Sequence, residues 1–401
     1  MKIFISNIEK SFVLVLIFLF TSSNLACAIS VANLRPALTT GKTLNKEPIR
    51  VAVIGVGKWG SDKIVTNLMG NDKVDLYVVL PRSDANKEIW SQFKINKDAD
   101  PNKPKSTRSY ADIIEIQDIN KLLINPDIKA VFITTRDPES HFELAKKCLL
   151  AGKNVSIAKP IRGAHAKELL EIAKEKNLLV DIGLQLMYDP DVLYLKDCIE
   201  GNKHLGKITS VELDLLNTKS TVDKTMTAFD NLGVHLLSML QVIMDVREVS
   251  DIKITSNPDD CFVRVNTNFN VYKDGSRIPV VLNTDNRYPG TSDCRQIKII
   301  FEAGSIELDI ITRQVVIEEK TGESITMVLG QGDDYIAKYG DKNAVGREIN
   351  RFLDLIEKKD AFSHASSLVN TLWIWDFVDR VNELLVFSNK ATVGIDPKTD
   401  I

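Results

Sequence analysis

Short apolar runs alternate with stretches of helical period through the first half of the chain, and the period changes in the second half. The run Val51 to Ile54 has the character of a strand buried on both faces, and Ile64, Val65, Leu68 and Met69 follow it at helical spacing. Further strands are predicted over Val74 to Leu80, Ala130 to Thr135, Asn154 to Ala158 and Leu178 to Leu184. Helices are predicted between them, over His141 to Ala151 and Ala164 to Lys176. Strands separated by helices of this length predict parallel pairing with right-handed crossovers, hence a doubly wound Rossmann sheet over 49–184. From Gln185 the pattern becomes that of half-buried strands: Ile208 to Leu216, Phe262 to Val271, Ile278 to Asn283, Gln296 to Phe301, Ser305 to Ile311 and Gln314 to Glu319. Helices over Leu232 to Met244 and Arg347 to Lys358 accompany them, so an open, mainly antiparallel sheet with helices on one face is expected over 185–365. A helix from about Ser366 to Leu385 opens the last segment, 366–401. The expected fold class is therefore α/β followed by α+β, with a ligand crevice at the carboxyl ends of the parallel strands.

The first strand runs directly into Gly55-Val56-Gly57-Lys58-Trp59-Gly60, and a helical stretch follows. In that context a G-x-G-x-x-G sequence reads as a dinucleotide-binding turn. Gly55 permits the turn, Gly57 lets backbone approach a pyrophosphate, and Gly60 lets the helix pack closely. The helix N-terminus adds N–H groups without intrahelical partners, so Lys58 and Trp59 are expected beside the cofactor. The alternative is a glycine-rich turn in some other α/β fold.

The N-terminus has a different character. Lys2 and Lys10 precede an unbroken apolar run, Phe12 to Phe20, and Ala26-Cys27-Ala28 matches a signal-peptidase site. The run is far shorter than the ~20 residues that span a bilayer, so a cleaved export signal over 1–28 is expected and no permanent membrane span. A polar lead-in, 29–48, follows. The net charge of −3 gives no electrostatic case for nucleic acid. Cys148, Cys198, Cys261 and Cys294 have no metal-ligand spacing. Cys148 reads as a buried thiol, an exported location permits a Cys261–Cys294 disulfide, and no metal site is expected.

Three more segments complete a set: Thr134-Thr135-Arg136-Asp137-Pro138-Glu139-Ser140-His141-Phe142, Ala151 to Pro160, and Asp230-Asn231-Leu232-Gly233-Val234-His235. With the glycine turn and the strand order they resemble the glucose–fructose oxidoreductase / inositol dehydrogenase / MocA (Gfo/Idh/MocA) family, from about Arg50 to the final helix. The resemblance implies an NAD(P)-dependent oxidoreductase acting on sugars, polyols or related carbonyl compounds. It places Thr135, His141, Lys159 and Pro160 along the cofactor. The family's Glu-Lys-Pro appears as Ala158-Lys159-Pro160, and a proline after Lys159 biases that residue to extended backbone, aiming it into the crevice. An ammonium there would stabilise a developing alkoxide; the alternative is a solvated lysine after a strand. The family's Asp-x-x-x-His appears as Asn231 and His235, about 40° apart on an ideal helix, whereas Asp230 and His235 are about 140° apart. His235 is expected to titrate near neutral pH and exchange the substrate proton, the alternative being a satisfied core histidine. Asn231 orients without carrying charge.

An acidic residue that would hold the ribose hydroxyls is absent from the end of the second strand, Leu80-Pro81-Arg82-Ser83. Arg82 and Ser83 there suit a 2′-phosphate, which tilts the choice between NADP and NAD to NADP; an ordinary surface charge is the alternative for Arg82. Gln185 and Tyr188, with Asp189, begin the segment where the family's substrate loop starts, although Met187 stands where many relatives carry arginine. His364, Trp373 and Trp375 are expected to pack or to serve an interface. A homo-oligomer through the C-terminal sheet and a small-molecule substrate complete the expectation. A catalytically silent ligand- or dinucleotide-binding protein on the same fold is the competing reading.

Overall fold

The computed structural model describes residues 47–102, 108–218, 226–331, 333–358 and 368–392. The expected leader, nearly all of the lead-in, and His364 lie outside the described residues. The first half runs β1 (Ile49–Ile54), a helix α1 that opens as a wide π turn over Gly60–Val65 and continues over Thr66–Met69, β2 (Val74–Val79) and α2 (Asp84–Asp98). Then come β3 (Ile114–Ile116), α3 (Ile119–Ile124), β4 (Ala130–Ile133), α4 (Pro138–Leu150), β5 (Asn154–Ile157), α5 (Gly163–Lys176) and β6 (Val180–Ile182). These six strands pair in parallel in the order β3-β2-β1-β4-β5-β6. The chain reverses its direction of growth between β1 and β4, which places the topological switch point beside the glycine turn. Along β1, Ala52 and Ile54 join one hydrophobic cluster while Val51 and Val53 join another, so both faces are covered. This is why β1 reads as a continuous apolar run.

The second half begins with a single 3₁₀ turn, Gln185–Tyr188, and α6 (Pro190–Gly201). It continues through β7 (Ile208–Leu216), α7 (a π turn over Phe229–Gly233 leading into Val234–Met244), β8 (Val249–Ile254), β9 (Arg264–Lys273) and β10 (Ser276–Asp285). The remaining strands are β11 (Cys294–Phe301), β12 (Gly304–Asp309), β13 (Gln314–Glu319) and β14 (Ser324–Val328), followed by α8 (Asp333–Tyr339), α9 (Ala344–Lys358) and α10 (Leu368–Thr392). The eight strands lie in the order β14-β13-β12-β11-β7-β10-β9-β8. Every pair is antiparallel except β7 with β10, which run parallel, so the expected succession of antiparallel strands holds with one exception. One face of this sheet supplies Val211, Leu213, Val280, Leu282, Ile297 and Ile299 to the core. The other carries polar rows such as Glu212–Lys298–Glu307, with Lys298 Nζ 3.3 Å from Glu307.

The last two helices return to the nucleotide half. Val345, Ile349, Phe352 and Leu353 of α9 pack with Val51, Val53 and Phe132 on one face of the parallel sheet. On the other side, α10 lies against α5. Consequently the crevice at the ends of β4, β5 and β6 is walled by α1 and the glycine turn, by α7, and by α9. Trp375 is fully buried and Trp373 donates to Gln241 Oε1 at 2.7 Å, so both tryptophans pack as expected. The four described cysteines are free thiols, and the permitted Cys261–Cys294 bridge is not formed.

Candidate active site

The glycine turn has distinct reasons for each glycine. Gly55 has φ +95°, and a Cβ there would lie 2.7 Å from the backbone of Thr134 and Thr135. A Cβ on Gly60 would overlap Gly55 O and Thr134 Oγ1, so Gly60 closes the helix onto the turn and the end of β4 rather than onto β1. Nothing lies within 4 Å of a Cβ built on Gly57. The protein itself does not require glycine there, so the open space fits a bound group approaching the backbone. Gly55, Gly57, Lys58 and Arg82 line a cavity of about 890 Å³, and Thr135 lines both this cavity and a second one of about 330 Å³. The Thr135 hydroxyl is buried with no hydrogen-bond partner at the junction. An orphaned buried hydroxyl and an unfilled cradle at the glycine turn are what a dinucleotide would complete.

The smaller cavity contains the chemistry. Lys159, at the end of β5, donates from Nζ to Asn231 O at 2.8 Å and to Asn231 Oδ1 at 2.9 Å. Asn231 Nδ2 donates to Asn286 Oδ1 at 3.2 Å, and Asn286 Nδ2 donates to Phe262 O at 3.1 Å. This donor-to-acceptor chain fixes the amide orientation of both asparagines from the network. His235, 8 % exposed on α7, lines the same cavity with Trp59 and Gln185, and its Nδ1 has no partner. Burial pulls the Lys159 ammonium down to about 8, against the opposing pull of Asp230. Burial also drives the His235 imidazolium well below the ordinary histidine value, helped by the positive charges of Lys159 and Arg295. The expectation that His235 titrates near neutrality is therefore corrected: it is a neutral imidazole, and Lys159 beside it is brought down toward the neutral range.

Asp230 does not replace a carboxylate at Asn231. Its Oδ2 accepts Thr227 N–H and Oγ1–H, both at 3.0 Å, and its Oδ1 accepts from Asn382 Nδ2 at 2.9 Å. The π turn at the start of α7 keeps Asp230 facing these partners.

Five other expected contacts are reassigned. His141 is fully buried and bridges Thr135 O, 2.7 Å from Nε2, and Pro160 O, 3.0 Å from Nδ1. With both ring nitrogens occupied it braces two cofactor-side loops instead of reaching a cofactor. Pro160 follows a cis peptide bond, is buried, and lines neither cavity. Ser83 Oγ accepts Asn86 N–H at 3.3 Å as the cap of α2, while Asn86 takes its place in the larger cavity. Tyr188 packs against the core outside the smaller cavity, and its carbonyl accepts from the Arg347 guanidinium. Asp189 caps α6, accepting Asp191 N–H at 3.0 Å, and pairs with Lys342 at 3.1 Å. Of the two expected substrate residues only Gln185 faces the crevice.

Sequence reasoning missed three groups. Asp118, at the cap of α3, lines the larger cavity beside Arg82, whose charge helps hold its carboxyl below the ordinary range behind the stronger effect of Asn120. Asn286 completes the asparagine chain. Glu348 of α9 lines the smaller cavity at 7 % exposure, and burial pushes its carboxyl up to about 8. None carries a local motif. Among the described residues no cluster of metal-ligating side chains occurs, and no helix is long and apolar enough to cross a membrane.

A doubly wound nucleotide half, closed over a Lys–Asn–His crevice by a mainly antiparallel half, defines a two-part dinucleotide-binding protein. Residues 49–184 match the oxidoreductase family with the NAD-binding Rossmann fold, the Gfo/Idh/MocA family. It is 36% identical over 169 residues to the uncharacterized oxidoreductase YhhX of Escherichia coli K12, an alignment covering 38% of this chain and 47% of YhhX. It is 33% identical over 110 residues to the uncharacterized oxidoreductase C26H5.09c of Schizosaccharomyces pombe, covering 27% and 29%. The chain thus spans less than half the length of these relatives. The fold is shared with UDP-N-acetylglucosamine 3-dehydrogenase GnnA of Acidithiobacillus ferrooxidans, at TM-score 0.66 and 17% identity over 86% of this chain and 100% of that one. It is also shared with KijD10, a 3-ketoreductase of Actinomadura kijaniata in complex with TDP-benzene and NADP, at TM-score 0.63 and 18% identity over 84% and 97%.

Proposed function

We propose that this protein is an NAD(P)-dependent oxidoreductase that moves hydride between nicotinamide and a hydroxyl- or carbonyl-bearing carbon of a sugar, cyclitol or related small molecule. The observation that carries this reading is the junction at Thr135, where a dinucleotide-shaped cradle opens into the Lys159–Asn231–His235 crevice. The names of GnnA, a UDP-N-acetylglucosamine 3-dehydrogenase, and of KijD10, a 3-ketoreductase, support the substrate class. Bound nicotinamide would supply or accept the hydride. Lys159, titrating near 8, is suited to give a proton to the substrate oxygen during reduction and to take it back during oxidation. His235, held neutral, hydrogen-bonds the same oxygen and keeps a second positive charge away from Lys159. Asn231 holds the ammonium in place without neutralising it. Gln185 supplies a polar contact for a hydroxylated substrate.

The test is direct. Purified protein with NADPH or NADH is offered a panel of sugars, cyclitols, nucleotide sugars and their keto forms, following nicotinamide absorbance. Turnover is expected with at least one, and Lys159→Ala and His235→Ala should each lower kcat ~10²–10⁴-fold while leaving cofactor binding nearly intact. Cofactor binding with no turnover across the panel would favour the binding-only alternative. We propose also that the protein is exported after cleavage behind Ala28 and self-associates through the C-terminal sheet; both rest on sequence pattern.

A further inference from the structure

The smaller cavity has a polar wall that this chemistry does not use. Glu348 Oε1 accepts Leu184 N–H at 2.7 Å, which anchors the side chain. A Cβ built on Gly183 would lie 3.8 Å from Ala158 Cα and 4.0 Å from Glu348 Oε2. The second carboxyl oxygen thus reaches the part of the wall where β5 ends in Ala158 and offers no polar side chain of its own. Ala158, Gly183 and Glu348 line the cavity together with Lys159 and His235, and Ile64, Phe132 and Ile349 supply apolar walls. A flat ring bearing one amide matches this layout.

Resting on the dinucleotide reading above, we propose that Glu348 is a cofactor contact whose Oε2 hydrogen-bonds the carboxamide of the nicotinamide ring. The contact comes from α9, far along the chain from the glycine turn, and fixes which face of the ring is turned to Lys159 and His235. Burial pushes this carboxyl up to about 8, so near neutral pH it presents an O–H as well as an acceptor oxygen. A carboxamide presents the complementary pair. Asp181 on β6 lies behind, with its carboxyl driven far above the ordinary range by burial and by Glu348, which keeps a second charge out of the wall.

The experiment compares the affinity of full-length protein for NADPH and NADH with its affinity for ADP-ribose and ADP-ribose 2′-phosphate, which lack nicotinamide. Glu348→Met should weaken the dinucleotides on the order of 10-fold and leave the fragments unchanged, and Ala158→Glu placed in the same protein should restore much of the loss. Should Glu348→Met fail to fold, Gly183→Ala serves instead. Its methyl makes only ordinary contacts, 3.4 Å from Ile157 O and 4.0 Å from Glu348 Oε2, and would crowd a ring held against that oxygen. It too should weaken the dinucleotides selectively. Equal losses for dinucleotide and fragment would make Glu348 a support of the fold and overturn the contact. Unchanged dinucleotide affinity in either variant would overturn it as well. Wild-type protein that binds neither dinucleotide nor fragment would instead overturn the dinucleotide reading itself.

Discussion

Replacing Asn231 by aspartate should move the titration of Lys159, and the size of the move follows from the geometry. Lys159 Nζ lies 2.9 Å from Asn231 Oδ1, so a carboxylate there meets the ammonium at contact distance. At an effective dielectric of ~20, two unit charges at that separation attract by about 6 kcal/mol before the new carboxylate is desolvated. Charge partners this close usually shift a titration by ~1–3 units. The Lys159 ammonium, now titrating at about 8, should therefore titrate at ~9 or higher in Asn231→Asp. The sign is fixed by which form gains: the carboxylate stabilises the charged lysine, so its proton leaves later as pH rises. A second effect opposes folding. Asn231 Nδ2 donates to Asn286 Oδ1 at 3.2 Å, and a carboxylate would set two acceptors against each other, costing ~1–3 kcal/mol.

The assay needs no substrate. Lysine labelled with ¹³C at Cε is titrated by NMR, and the Lys159 resonance is assigned by its absence from Lys159→Met. Wild type should show one lysine with a midpoint near 8, displaced upward in Asn231→Asp. In a substrate assay the same displacement should carry the pH limit of carbonyl reduction upward, because reduction needs the protonated lysine. A wild-type midpoint at the ordinary lysine value, or one shared by both proteins, refutes the reasoning.

Three further outcomes are expected. Glu348 should contribute stability that is whole below the unfolded carboxyl value and lost as pH rises through 8, because its proton is held up to about 8 in the folded state; His235, held neutral by the fold, works in the opposite direction below its ordinary value, so the contribution is read as the difference between wild type and Glu348→Gln. The slope approaches ~1.4 kcal/mol per pH unit, and urea unfolding should find it reduced in Glu348→Gln. His141→Ala should lose ~1–3 kcal/mol in the same measurement, since the ring N–H that pairs one of the carbonyls of Thr135 and Pro160 and the packing of the ring between them are both removed; a loss below ~0.5 kcal/mol would show that the brace is dispensable. Arg82→Glu should weaken NADPH more than NADH by ~10-fold or more in fluorescence titration, and equal changes would show that Arg82 does not face the adenosine ribose.

The parts legible in the sequence were those written over a few consecutive residues. The run of β1, Gly55, Gly57 and Gly60 declared themselves because each obeys a local rule of backbone or burial. The strands that escaped, β3, β8 and β14, all lie at sheet edges, where β14 is largely exposed and little hydrophobic alternation is required. Periodicity predicted a helix over Arg347 to Lys358 but said nothing of what it covers. Glu348 was therefore invisible as a crevice residue until Leu184, 164 positions away, was seen against it. Ser83 and His141 were misread for the converse reason. Each had the right chemistry for a ligand, yet nearby protein groups had already taken it: Asn86 N–H for the serine, Thr135 O and Pro160 O for the histidine.

The charges of the crevice explain why two departures from the family pattern occur together. Lys159 has no carboxylate in contact, because Ala158 carries none and Asn231 is neutral. Asp230 acts on it only at a distance, turned toward Thr227 and Asn382. Glu348 retains its proton up to about 8, and His235 stays neutral under burial and the charges of Lys159 and Arg295. One cation is then the whole charge of the site, and burial works on it without opposition from a contact anion. An aspartate at 231 would hold that cation charged through the physiological range. The asparagine keeps the same grip on Nζ and leaves the proton free to move, which is the property a proton donor paired with hydride transfer requires.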